Sequence, residues 1–249
     1  MSTKTRGQWR GQLAFILATS GAAIGLGNIW KFPYMAGDNG GGAFMMVYLI
    51  CVVAIGLPVM ASEIMIGRRG QQNPVDAIKR VALESRGSKH WGLLGWWGLL
   101  GLLLVLSFYS VVGGWTIFYL IEALSGGLKH LTADQVNAIW GGFMASPEKM
   151  LFYHFIYMTL TVVVVALGVE KGLERASFVM MPLLFLILGT LVFYAALSTG
   201  PYFWQAVGYL FKPHWNEMNA QVCIDAMGHA FFTLAIGVGA MSIYGSYKY

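Results

Sequence analysis

The chain has 249 residues, of which 57% are hydrophobic and only 11% charged, and its net charge is +5. Soluble domains carry about 25% charged residues, so the composition excludes a soluble protein with buried helices. Six stretches contain no Asp, Glu, Lys or Arg: 11–30, 39–62, 91–121, 150–169, 176–211 and 226–247. Each approaches or exceeds the roughly 20 residues that cross a hydrocarbon core about 30 Å thick. The expected fold class is an all-α polytopic membrane protein, a single transmembrane domain over 1–249.

The first predicted span covers about 12–36 and is followed by a tight turn at Asp38-Asn39-Gly40-Gly41-Gly42. The second, about 43–67, ends at Gly67-Arg68-Arg69-Gly70. A polar loop follows, in which Asn73-Pro74-Val75-Asp76 reads as the start of a short helix along the membrane. The third span, about 91–124, is long enough to tilt or protrude. Thr132 can cap a short helix whose first turn holds Asp134 and Gln135. The fourth and fifth spans are about 150–168 and 176–197. Gly200-Pro201 reads as a breaker that opens an aromatic outside loop over 201–218, and the sixth span covers about 219–247.

Basic residues orient the chain. With the N-terminus inside, the inside segments hold eleven: Lys4, Arg6, Arg10, Arg68, Arg69, Lys79, Arg80, Arg86, Lys89, Lys171 and Arg175. The outside segments hold three, Lys129, Lys149 and Lys212. The expectation is a multi-pass protein of the plasma (bacterial inner) membrane with a cytoplasmic N-terminus. The positive charge then matches anionic lipid, and no basic patch interleaved with aromatics points to nucleic acid. Cys51 and Cys223 suggest neither a disulfide framework nor a metal site.

The first span contains Gly21-Ala22-Ala23-Ile24-Gly25-Leu26-Gly27-Asn28, and the last carries Thr233, Gly237 and Gly239. Glycine weakens a helix and admits close approach to its backbone. Inside a bilayer, backbone freed from helical hydrogen bonding survives only against protein, a cavity or a bound solute. Both segments therefore read as broken helices with a binding site at the breaks. Nothing in the sequence suits an enzyme: there is no His/Asp/Glu cluster for a metal and no serine–histidine pairing at a catalytic depth. A channel fits less well, because an occluded break favours binding over continuous conduction.

These segments carry a resemblance. Trp9, the run Gly21 to Tyr34 and Asn39-Gly40-Gly41-Gly42-Ala43-Phe44 are similar to the neurotransmitter:sodium symporter family, closest to its bacterial amino-acid transporters. Gly56-Leu57-Pro58 with Glu63 and Gly67-Arg68, Gly172-Leu173-Glu174-Arg175 before Met181-Pro182, and Phe231-Phe232-Thr233-Leu234 with Gly237, Gly239 and Tyr244 agree in order. The resemblance implies a leucine-transporter-like inverted-repeat fold. Because the family has eleven or twelve spans, the expectation is an apparently truncated N-terminal half, with only the first repeat plus the sixth helix.

The resemblance further implies sodium-coupled symport of a neutral, hydrophobic or aromatic amino acid into the cell, requiring missing C-terminal helices. The rival reading is a non-transporting structural fragment that inserts in the membrane or pairs with a complementary half. One Na⁺ falls to the Ala23 carbonyl, Asn28 and Thr233, and a second to the carbonyls of Gly21 and Ile24. The substrate carboxylate falls to the backbone N–H groups near Leu26 and Gly27 and to Tyr109. Its amino group falls to carbonyls of the two unwound segments, including Ala23 and Phe232, and its side chain to Val105, Phe232, Ala235 and Val238. Ala235 and Val238 replace a serine and a phenylalanine of the leucine transporter, which enlarges the apolar end of the pocket. Arg6 and Lys31 match the inner- and outer-gate positions, Glu63 is an acid within a span, and His229 stands where glutamine is usual. The chloride role and the oligomeric state, homo-oligomers included, are left open.

Overall fold

The computed structural model describes residues 8–248. Among them there are twelve α-helices, three π-helical turns and no strand beyond the isolated bridge of Gly41 with Pro213. Helix α1 (Gln12–Ala23) stops where Ile24 turns extended, at φ −93° and ψ 96°. A π turn, Gly27–Lys31, leads into α2 (Phe32–Asp38), and the two halves of this segment are bent by 54°. Helix α3 (Gly42–Cys51), a π turn at Val52–Gly56 and α4 (Leu57–Gly70) run on as one 29-residue apolar helix. Both π turns lie just before a proline, Pro33 and Pro58. A proline deprives the carbonyl four residues earlier of its partner, here Ile29 and Ala54, and the widened turn absorbs that loss.

Helix α5 (Pro74–Glu84) begins as its sequence predicts: Asn73 Oδ1 accepts from the Asp76 N–H at 3.0 Å. Arg69 Nε and Arg80 Nε donate to the two oxygens of Glu84 at 2.8 and 3.0 Å. The bonds from Arg80 and then Arg69 hold the Glu84 carboxyl below its ordinary value. A lowered carboxyl stabilises the fold above its unfolded-state pKa, and that contribution disappears as pH falls through the folded-state value. This link between α4 and α5 therefore persists at neutral pH and is lost only in acid.

Helix α6 (Gly92–Leu124) has 33 residues, about 50 Å of helix, more than a hydrocarbon core requires. Helix α7 (Ala133–Met144) starts with the Thr132–Gln135 capping box that the sequence predicts. Helix α8 (Pro147–Ala166) follows, then a π turn at Val169–Glu174 and α9 (Arg175–Ser198). Residues 201–211, expected as loop, form α10 (Pro201–Phe211). The Gly-Pro pair that reads as a breaker places proline in the first turn of a helix, where its missing N–H costs nothing. Helices α11 (Ala220–Thr233) and α12 (Ala240–Gly245) complete the chain.

Four of these helical stretches are long and apolar enough to cross a membrane, or five if the bent first pair counts as one span. The chain is a polytopic membrane protein. Residues 219–247 fall outside this count because their helices have only 14 and 6 residues. The description of the architecture as one repeat plus a sixth helix is corrected: twelve helices are present among the described residues, and α10 is an element the sequence reading did not contain.

The chain divides into two compact units, the described residues of Met1–Leu99 with Val169–Tyr249, and Leu100–Gly168. In the first, Phe44, Ala36, Val222 and Ala226 form one buried cluster, and Leu234, Ile236 and Met241 another. Helices α4 and α12 touch backbone to backbone. A Cβ on Gly67 would overlap the Ser242 carbonyl, and one on Gly245 the Ile64 carbonyl. In the second unit, Phe118 stacks on Phe143 at 4.1 Å, and a Cβ on Gly114 would lie 2.8 Å from the His154 nitrogen.

Candidate functional site

Two helix breaks meet in the first unit. At the second, α11 ends at Thr233, Ala235 has φ +50°, and Gly237 and Gly239 have φ +83° and +76°. Gly239 caps α12 in the left-handed conformation, which glycine adopts without steric cost. The buried side chains of Leu234, Ile236 and Met241 pin the break, and Glu63 Oε1 accepts from the Gly237 N–H at 2.6 Å. A non-glycine residue in the left-handed region costs about 1–3 kcal/mol, and a β-branched one is a genuine outlier there. Ala235→Val is therefore expected to lower unfolding free energy by about 1–2 kcal/mol, whereas Ala235→Gly stays within about 0.5 kcal/mol of the parent. Thermal denaturation in detergent measures both.

The two breaks are joined through one amide. Asn28 Nδ2 donates to the Ala23 carbonyl at 2.8 Å, and the Thr233 hydroxyl donates to Asn28 Oδ1, also at 2.8 Å. Asn28 and Thr233 are 205 residues apart in sequence. Ala23 is the last residue of α1, and Thr233 the last of α11. Three neutral, hard oxygens thus gather where both helices end, the donor chemistry an alkali cation takes in apolar surroundings.

Around this cluster, Gly21 faces Met181 and Ser177 of α9: a Cβ there would lie 3.2 Å from the Met181 sulfur and 3.9 Å from the Ser177 hydroxyl oxygen. Ile24 is extended, and its N–H bonds the Ser20 carbonyl at 2.8 Å. Leu26 and the buried Gly27 open the π turn, whose first N–H groups form the positive end of a half-helix. Phe232 is 40% exposed, and Val238 is half-buried with its carbonyl 2.7 Å from where a Cβ on Gly98 would stand. Val105 and Tyr109 are carried by the second unit on α6, where Tyr109 meets Phe108 edge-on at 6.2 Å.

Lys31 closes the π turn and is exposed. His229 is buried among rings, 5.4 Å from Phe32, 5.7 Å from Tyr48 and 6.4 Å from Phe232. Its Nε2 has no hydrogen-bond partner among the described residues, and neither has Glu63 Oε2. Arg6 lies outside the described residues. The sequence reading missed the close approaches at Gly56, Gly67, Gly98 and Gly245. Their signal is small residues on helices with no turn to explain them, but only the fold reveals what each one meets: the Leu234 side chain at Gly56 and backbone at the other three.

The chain is similar along its length to known transport proteins. The family model for the sodium:neurotransmitter symporter family matches residues 6–141 and 145–249, and the chain belongs to that family. That family is one of symporters, not of enzymes. It is 42% identical over 247 residues to the uncharacterized sodium-dependent transporter YhdH of Bacillus subtilis, covering 99% of this chain and 53% of that protein. It is 28% identical to the mouse sodium-dependent neutral amino acid transporter SLC6A17, covering 100% of this chain and 37% of that one. The crystal structure of MhsT in complex with L-phenylalanine superposes with a TM-score of 0.88 at 40% identity, over 98% of this chain and 54% of MhsT.

The chain spans about half the length of the curated relatives it matches. The expectation of an apparently truncated N-terminal half is corrected by the match itself, which runs nearly end to end through this chain. The label of fragment is dropped with it. The same superposition over 98% of the residues replaces the restriction to a first repeat plus sixth helix with the twelve-helix architecture above.

Proposed function

We propose that the chain carries the ion and solute site of a sodium-coupled symporter for a neutral amino acid with a bulky hydrophobic or aromatic side chain. The observation that carries this reading is the Thr233–Asn28–Ala23 chain of oxygens at the two breaks. Sodium, a co-transported substrate, exchanges the amide contacts for direct bonds to the Ala23 carbonyl, Asn28 Oδ1 and Thr233 Oγ1. A second sodium takes the carbonyls of Gly21 and Ile24. The amino acid's carboxylate sits against the N–H groups near Leu26 and Gly27, completing the first ion's shell and coupling the two binding events. Carbonyls of the unwound segments, Ala23 and Phe232 among them, hold its ammonium group.

The side chain of the substrate faces Phe232, Ala235 and Val238, where small and aliphatic residues leave room. MhsT binding L-phenylalanine and the mouse relative's neutral amino acid support this class. Uptake is inward across the plasma membrane, driven by sodium, with a cytoplasmic N-terminus. Lys31 and Arg6 serve the outer and inner gates, and Glu63 steadies the second break through Gly237. Competition binding tests the substrate class: phenylalanine, tryptophan or leucine is expected to displace a labelled aromatic amino acid at least about tenfold better than glycine or alanine, about 1.4 kcal/mol. Equal or better displacement by glycine or alanine rejects it.

A further inference from the structure

We propose that the groove between α4 and α5 is a binding site for an anionic phospholipid. The groove has a volume of about 570 Å³ and is lined by Ser62, Met65, Ile66, Arg68 and Arg69 of α4 and Val81 of α5. Ser62, Met65, Ile66 and Arg69 follow one another at the spacing of a single helix face. Met65 is 62% exposed, and the Ser62 hydroxyl donates to its own helix at the Pro58 carbonyl, 2.8 Å away. The walls thus offer hydrocarbon and ask for no polar partner, which suits an acyl chain.

The mouth of the groove is cationic. Arg69 spends its Nε on Glu84, one donor of the five in a guanidinium, and that bond fixes where the remaining fork stands. Arg68 makes no ion pair among the described residues. Arg69 and Arg80 share one acid, Glu84, so that with Arg68 the three arginines exceed the acid they meet by two positive charges. A phosphodiester accepts paired N–H bonds from such forks. The charge excess favours a headgroup with net negative charge over a zwitterionic one, whose ammonium meets the same arginines.

The depth is also right. The 29-residue apolar helix Gly42–Gly70 ends at these arginines. Beyond α5, Trp91, Trp96 and Trp97 are 56%, 63% and 70% exposed, the residue type that settles at the headgroup level. The acyl chain therefore enters from the hydrocarbon side while the phosphate meets Arg68 and Arg69 at its boundary.

The test is native mass spectrometry of the whole chain released from vesicles of phosphatidylcholine mixed with phosphatidylglycerol. The parent chain is expected to retain phosphatidylglycerol in preference to phosphatidylcholine. Arg68→Gln, which leaves the Arg69–Glu84–Arg80 link untouched, lowers that retention about tenfold. Val81→Trp, which fills the groove but keeps every charge, lowers it as well, and Lys129→Gln in another loop leaves it unchanged. Circular dichroism confirms helix content for each variant. Equal retention of the two lipids by the parent, or undiminished phosphatidylglycerol on folded Arg68→Gln and Val81→Trp chains, overturns the proposal.

Discussion

Gly67→Val is expected to lower the unfolding free energy by about 3 kcal/mol or more. Helices α4 and α12 meet at this glycine so closely that any Cβ lands on the Ser242 backbone, with the Ser242 carbonyl carbon and Cα at 2.7 and 2.9 Å. A flexible side chain can swing aside, but a carbonyl in a helix cannot. Relief requires the helices to part, and parting them strips contacts from the buried Met241 and pulls on the second break. Overpacking of this kind costs about 3 kcal/mol or more, a large share of a stability of about 5–15 kcal/mol. Gly189→Ala on α9 is the matched control, since a Cβ there meets nothing within 4 Å. In the helix interior it is expected to stabilise by about 0.5–1 kcal/mol. Thermal denaturation of detergent-solubilised variants, followed by size-exclusion profile, reads both signs. A Gly67→Val chain as stable as the parent contradicts the close packing of α4 on α12.

Asn28→Ala is expected to weaken sodium-supported amino-acid binding about 100-fold. The substitution removes the proposed ion ligand Oδ1, and with it the amide that holds the Ala23 carbonyl and the Thr233 hydroxyl together before the ion arrives. A bond to a charged partner is worth about 1.5–3 kcal/mol, and at about 1.4 kcal/mol per tenfold the upper end of that range is near two decades. Thr233→Val keeps the shape and loses only the hydroxyl, so about a tenfold loss is expected. The double variant is expected to fall short of the product of the two, because the second change removes a partner already gone. Equilibrium binding of a labelled aromatic amino acid to the reconstituted chain, at several sodium concentrations, measures all three. Additive losses contradict a shared site.

Much of this was legible in the sequence, for reasons that differ by residue. The first break could be read because Gly21, Gly25 and Gly27 concentrate helix-weakening residues inside an apolar run. The starts of α5 and α7 could be read because Asn73 and Thr132 satisfy backbone donors within their own first turns. Such interactions are local, and local interactions leave local signals. The pairing of Asn28 with Thr233 is not local. Composition and spacing placed both residues in apolar segments, and only the family resemblance suggested that they share a site. The π turns at Gly27–Lys31 and Val52–Gly56 escaped because a proline announces a lost hydrogen bond without saying how the helix absorbs it. Residues 201–211 were read as loop since Gly200-Pro201 signals both a helix end and a helix start. Gly67 and Gly245 stand out in the sequence only as small residues without a turn, because what a glycine must clear is set by a helix from another part of the chain.

The most direct measurement is equilibrium binding of labelled L-phenylalanine to the reconstituted chain, with sodium or potassium as the only alkali cation and Asn28→Ala run beside the parent. Saturable binding that requires sodium and collapses in Asn28→Ala is the predicted result. Binding that is equal in the two salts, or that survives loss of the Asn28 amide, contradicts a shared ion and solute site at the two helix breaks.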